Sequence, residues 1–455
     1  MRNSSIVAIG SALILGAAVF AATATVSQSE ANRLGNDLMP MGGERAGNRA
    51  GTIPEWTGGL PQREPDFDAG ETFDDPFADD QVRFVITADN VAQYRDQLTP
   101  GQLAMFENHP QSYRIPVYPT RRSTSYPERV YEWTRRNATS ARLEGTDGLS
   151  GVAVGVPFPI PTRGEHPIWN HQLRYRGEGA RVFYNQAIVT GGGDYTMIRL
   201  LQEIIFPYHA EGATPEQLDA SNKRFFFLQH IVSPARLSGG VLLVHETLNQ
   251  LRDPRQAWVY NPGQRRVRRA PNVEHDNPGT AADGLRTNDQ NDVFNGALER
   301  YDWELVGKRE MFMPFNSYRL NMTDLTYDEL VMPGHLNQDY ARYELRRVWV
   351  VDATVREGMR HLYKRRTFYV CEDSWQILAV DVYDNRDQLW RVQEAHNINY
   401  YNVLGTSGAV EAVYDLQSGR YLLLGLNNED PPNDYRWTES ESYFTPANLR
   451  QRGLR

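Results

Sequence analysis

From about residue 150 onward, short runs of β-branched and aromatic residues, several alternating with polar ones, punctuate the chain and predict strands. Such runs cover residues 181–187, 195–205, 224–231, 240–247, 256–260 and 265–269. The clearest block follows at 343–353, 361–371, 375–383 and 388–395. Turns at Asp373-Ser374 and Asp384-Asn385 are too short for crossover helices, which makes these neighbours antiparallel. Runs at 409–416 and 421–426, joined at Ser418-Gly419, add a hairpin. The pattern predicts a mainly β protein with some α: one large, strongly curved antiparallel sheet with a few covering helices. No fixed-period repeat is visible.

The N-terminal third reads differently. Ser27-Gln28-Ser29-Glu30 has the form of a capping box, with Ala31, Leu34 and Leu38 on one face of a short helix. After it come Gly42-Gly43, Thr52-Ile53-Pro54-Glu55-Trp56-Thr57-Gly58-Gly59 and Asp74-Asp75-Pro76-Phe77, too rich in Gly and Pro for a long helix or a central strand. They predict an extended arm on the body, pinned by Trp56 and Phe77. Thr87 is placed to cap a helix with Val91, Tyr94 and Leu98 inward. Thr99-Pro100-Gly101-Gln102 predicts a second, with proline at the first helical position; Thr214-Pro215 and Thr445-Pro446 repeat the device. The division is a signal peptide at 1–24, helix and arm at 25–80, and one large β-rich domain at 81–455.

The first segment rests on Arg2, an uncharged apolar run at 6–22 and the small-x-small pattern Ala22-Thr23-Ala24. Export to the periplasm of a Gram-negative cell follows. No cysteine follows the run, so a lipoprotein anchor is not expected. The single cysteine, Cys371, excludes an internal disulfide and any multi-cysteine metal site. Net charge is −9, and all but three of the cationic residues (Lys223, Lys308 and Lys364) are arginine. An acidic chain without a basic block argues against nucleic acid as the partner.

Catalytic and cofactor motifs are scarce. No phosphate loop, dinucleotide fingerprint, H-E-x-x-H or nucleophile elbow is present. Gly191-Gly192-Gly193-Asp194 lies between strands and reads as a hairpin turn. Glu274-His275-Asp276 reads as a solvated loop. His166 and His171 read as hydrogen-bonded structural residues, with no third ligand at a zinc spacing. Asp283, Asp289 and Asp292 miss the calcium-loop spacing. Neither cofactor nor metal is expected. The best acid–base candidates for an enzyme are His171 and His245-Glu246.

Apolar side chains on alternating strands stand out instead: Trp258 with Tyr260, Trp349 with Val351, Phe368 with Val370, and Ile377. On one face of a curved sheet they would form a continuous apolar surface. A wide sheet with few helices to cover it leaves room for a cavity. The basic turn Arg265, Arg266, Arg268 and Arg269 is a candidate contact for lipid headgroups or an acidic partner.

Several stretches resemble a proteobacterial family known only as domain of unknown function 1329, described as outer-membrane lipoprotein-sorting-like. They are Asp37-Leu38-Met39-Pro40-Met41-Gly42 with residues 52–59, Tyr113-Arg114-Ile115-Pro116-Val117-Tyr118-Pro119-Thr120, and Gly155-Val156-Pro157-Phe158-Pro159-Ile160-Pro161 with Ile168-Trp169-Asn170-His171. Residues 258–269, with Tyr363-Lys364-Arg365 and Asp381-Val382-Tyr383-Asp384, are similar to hairpins of the Lol-type lipoprotein carriers. That likeness implies an incomplete antiparallel barrel with a helical lid, enlarged here. The likeness carries over no cargo; with the apolar surface read above, the expectation is a periplasmic, non-enzymatic carrier of lipids, lipoprotein acyl chains or other hydrophobic molecules. The alternative is a scaffold linking an inner-membrane exporter to an outer-membrane protein without holding a ligand.

Overall fold

A computed structural model describes residues 26–64, 73–270, 273 and 275–452 of the 455. The signal peptide read at 1–24 lies outside the described residues. In chain order the strands are β1 (Phe84–Ile86), β2 (Ile115–Val117), β3 (Arg142–Glu144), β4 (Gly148–Ser150), β5 (Gly179–Phe183) and β6 (Asn185–Val189). Next come β7 (Tyr195–Ile205), β8 (Lys223–Ser233), β9 (Val241–Thr247), β10 (Gln256–Asn261), β11 (Arg266–Arg269) and β12 (Tyr301–Pro314). The last are β13 (Tyr343–Val355), β14 (Arg365–Cys371), β15 (Ile377–Tyr383), β16 (Leu389–Tyr400), β17 (Gly405–Asp415) and β18 (Tyr421–Leu426). The α-helices are α1 (Gln28–Ala31), α2 (Pro100–Asn108), α3 (Glu128–Ser140), α4 (Glu165–Leu173), α5 (Pro215–Ser221), α6 (Tyr327–Leu330) and α7 (Pro446–Arg452).

Sixteen strands share one sheet in the order β1-β2-β13-β14-β15-β16-β17-β18-β6-β7-β8-β9-β10-β11, with β12 added on β13 and β5 on β7. The ladders are antiparallel except for the single Tyr343–Val117 pair joining β13 to β2. β1 and β11 each pair on one side only, so the sheet does not close into a barrel. This is the mainly β architecture the hydrophobic pattern predicts.

The strand expected at 181–187 breaks at Tyr184 into β5 and β6, both lying along β7. Asn185 makes the break: its side-chain oxygen accepts the Leu200 amide at 2.9 Å, replacing a ladder bond. Beyond the break, β6 pairs with β18, whereas β5 meets only an isolated bridge from Asp434. The sheet therefore parts into two halves at this point.

Both faces of the β13–β18 half are covered. Helix α4 packs against β12 and β14, burying Ile168 and Trp169 with Val351, Phe368, Val370 and Ile377. Helix α2 lies on the opposite face against β15 and β16, burying Met105 and Phe106. In the β7–β11 half, the C-terminal α7 covers one face with Leu449 and the preceding Phe444.

The capping boxes at Ser27, Thr99 and Thr214 form as expected, and Pro446 opens α7. At Thr87 the expectation is corrected. The turn that follows is a 3-10 helix, Val91–Gln97, introduced by Asn90, whose side chain accepts the Thr87 amide at 2.8 Å. The strand expected from His361 starts at Arg365. Helices α3 and α4 and strand β12 have no counterpart in the sequence reading. All nine residues of α4 are buried, so it carries no amphipathic stripe to recognise.

The arm at 39–60 is fixed on the body. Trp56 donates its indole N–H to the Thr124 carbonyl (3.0 Å), and Trp375 donates to that of Met41 (2.9 Å). Gly42 has a φ of 101°, and a Cβ there would overlap the Pro159 carbonyl, so only glycine fits. Two of the stretches that carry the family resemblance thus meet in space.

Candidate functional site

A part-open cavity of about 140 Å³ lies where the sheet parts. One wall is built from two cross-strand rows. Ala180, Ile204, Phe227 and Val244 are in register across β5, β7, β8 and β9, and so are Val182, Gln202, Gln229 and Leu242. Phe225 and Phe206 extend the apolar surface. The other wall is polar and comes mainly from the long connection between β11 and β12: Arg286, Asn288, Asn291, Asp292 and Asn295. Arg176, Tyr184, Arg255 and Ala409 are also among the lining residues.

Charges at the polar wall are deeply desolvated. Asp292 takes two hydrogen bonds from the fully buried Arg174 (2.9 and 2.5 Å) and one from Arg176 (2.7 Å). Burial alone would raise its carboxyl, but these two guanidiniums hold it well below the usual carboxylate range. Burial lowers Arg176 to about 10, against the pull of Asp292. Glu411 accepts from the Tyr184 hydroxyl (2.7 Å) and the Val293 amide (3.1 Å). Burial, aided by Asp292, pushes its carboxyl up to about 7.

None of the seven side chains expected to line a cavity is part of this lining. Val351, Phe368, Val370 and Ile377 are fully buried under α4, and Trp349 packs half-buried at the edge of that cluster with Lys308 over its ring. Tyr260 is buried and Trp258 partly buried on the α7 face of β10, against Phe444 and Leu449. On the other face of that strand Ala257 and Val259 pair with the lining residues Val244 and Leu242, one residue out of phase. Arg265, Arg266, Arg268 and Arg269 are exposed on the β10–β11 hairpin at the sheet's edge and make no ion pair among the described residues.

The histidines named as acid–base candidates are tied into the fold. His171 is fully buried, bonded through Nε2 to the Asp292 carbonyl (2.8 Å) and accepting the Ile377 amide at Nδ1 (3.1 Å). Burial, with Arg174 beside it, lowers it to about 3. His245 bonds the Phe444 carbonyl (2.7 Å), and Glu246 holds Arg255 (2.6 Å). His166 stacks on Phe158 with ring centroids 4.0 Å apart. Asp289 pairs with Arg366 (2.9 Å) and His361 (3.0 Å), and Asp283 with Arg420 (2.5 Å). Among the described residues no group of three or more His, Cys, Asp or Glu is placed to hold a metal ion. Nor is any helix there long and apolar enough to cross a membrane.

Fold and site together define an open-sheet β protein with a part-open cavity where its sheet parts. The chain belongs to the family described as "Protein of unknown function (DUF1329)", whose model matches residues 85–450. It is 50% identical over 434 residues to the uncharacterized protein PA3922 of Pseudomonas aeruginosa, covering 95% of each chain. Among solved structures it is similar to a DUF1329 family protein from Desulfovibrio piger, with a TM-score of 0.41 and 16% identity over 60% of this chain and 92% of that one. It is also similar to a putative outer membrane lipoprotein-sorting protein domain from Vibrio parahaemolyticus, with a TM-score of 0.40 and 13% identity over 61% and 92%. A LolA superfamily protein from Nitrosomonas europaea gives a TM-score of 0.37 and 13% identity over 63% and 98%.

Proposed function

We propose that the protein is a periplasmic carrier that holds hydrophobic molecules, lipids among them, in the cavity where the sheet parts. The observation that carries this reading is the apolar wall that Phe225, Phe227, Leu242 and Val244 present to a part-open cavity where the sheet parts. At about 140 Å³ the cavity is smaller than the roughly 300–1,000 Å³ of drug-sized sites. It suits a ring or the end of a chain, the remainder of a longer cargo passing through the open side. Each ~100 Å² of apolar surface buried there is worth roughly 2.5 kcal/mol, so a cavity of this size holds its cargo reversibly.

Mass spectrometry of the organic extract, from protein purified without detergent out of its native cells, tests the reading. A stoichiometric hydrophobic compound, missing from a mock purification, is the expected result. An empty extract, repeated after feeding hydrophobic substrates, leaves the scaffold reading in its place.

The exposed Arg265, Arg266, Arg268 and Arg269 serve, in this reading, to bring the carrier to anionic headgroups. Each arginine near such a surface contributes about 1 kcal/mol. Replacing Arg266, Arg268 and Arg269 with glutamate is therefore expected to weaken binding to phosphatidylglycerol vesicles about 100-fold or more, as read by co-sedimentation at low salt. Unchanged co-sedimentation would assign the arginines to guarding the sheet edge against strand addition.

A further inference from the structure

The polar wall of the cavity carries a cation with no ion pair among the described residues, although Glu411 and Asp289 lie near enough to act on its charge. Arg174 and Arg176 share Asp292, and Arg255 is held by Glu246. Arg286 has neither arrangement. It is only 6% exposed, and it makes no ion pair among the described residues. Its Nη1 gives one long hydrogen bond to the Thr287 carbonyl (3.4 Å), and its Nε has no partner. A guanidinium offers five donors in a planar fork. One buried with most of those donors idle is costly unless something else takes them.

Its surroundings favour an anion. Gly279 lies directly against the guanidinium, where a Cβ would press into Nη1, so the side chain is held in place by a glycine that leaves it room. Arg176, which also lines the cavity, has an unpartnered Nε of its own. Glu411, the nearby carboxyl beside Tyr184, takes a proton near neutrality and so does not fully offset these cations. Meanwhile the same cavity is lined by Phe225, Phe227, Leu242 and Val244.

We infer that the cavity selects a carboxylate-headed amphiphile, its head on Arg286 and its alkyl part against Phe225, Phe227, Leu242 and Val244. The inference rests on the carrier reading and narrows it from hydrophobic molecules in general to amphipathic acids. A neutral hydrocarbon or alcohol would fill the apolar wall but leave the guanidinium as it stands. A carboxylate accepts two parallel N–H bonds from the fork.

Isothermal titration calorimetry of the full chain with octanoate and with octanol decides the matter. Octanoate is expected to bind about 10- to 100-fold more tightly than octanol, the range for a hydrogen bond to a charged group. Arg286→Met is expected to erase that preference, bringing octanoate affinity level with that of octanol, and Arg286→Lys to keep most of it. Equal affinities in the unmodified protein would overturn the head-group assignment and leave the carrier reading standing. Binding of neither ligand would remove both. The comparison in the unmodified protein is decisive even where Arg286→Met does not fold.

Discussion

Asp292→Ala is expected to destabilise the protein by about 3–5 kcal/mol, read as a shift of the urea midpoint at constant slope. The carboxylate serves two guanidiniums at once: Arg174, whose side chain is fully buried, and Arg176. Removing it leaves two desolvated cations without an acid, the costly half of a broken buried ion pair. The backbone carbonyl of Asp292 also receives His171, so the loss is concentrated where α4, the β11–β12 connection and the cavity wall meet. Adding Arg174→Met to Asp292→Ala should return part of the stability, because an apolar side chain removes the orphaned charge. A loss under 1 kcal/mol in the single variant would show that water reaches these guanidiniums.

Glu394→Gln is expected to gain on the unmodified protein as pH rises from 5 to 8. Glu394 is buried beneath α2, accepting from Gln102 Nε2 (3.1 Å) and the Tyr343 hydroxyl (2.9 Å), with no ion pair among the described residues. Burial raises its carboxyl from 4.5 to about 7. The folded protein therefore keeps a proton that the unfolded chain releases above 4.5. Stability from this group is complete below about 4.5 and is lost as pH climbs to about 7, an effect of up to about 3 kcal/mol. Glutamine mimics the protonated form at every pH, so the two proteins should melt together near pH 5 and part progressively above it. The comparison also cancels the buried histidines, such as His171 and His209 at about 3, whose contributions run the opposite way. A melting difference constant across pH 5–8 would refute the assignment.

Runs of β-branched and aromatic residues, several of them alternating with polar ones, located most of the strands. They did not locate the cavity, and particular residues explain why. Phe225-Phe226-Phe227-Leu228 is apolar throughout because β8 is buried on both faces, against the cavity and against α7. With no polar phase, nothing in the run says which phenylalanines meet a ligand. Trp258 and Tyr260 drew attention by size, yet they lie on the α7 face of the sheet, opposite the one that Leu242 and Val244 present to the cavity. The polar wall comes from residues 280–295, a connection without strand or helix periodicity. Arg286 was invisible because its signal is a missing partner, which only three dimensions reveal. The paired Gly-Pro stretches at 37–59 and 155–171 were legible as a family signature, and their contact through Gly42 and Pro159 shows what they build.

The seam between the sheet's halves also dictates when the molecule can come into being. β18, ending at Leu426, is the strand that joins β6 to β17, so residues 185–189 wait for a partner more than 230 positions downstream. No stretch that ends earlier can supply that edge, and pairings of such long range form slowly. Completion of the fold is thus deferred until almost the whole chain has been delivered. For the same reason the halves on either side of the seam are not separable pieces: a fragment ending at β11 would carry the bare edge of β6 and is a poor candidate for independent life.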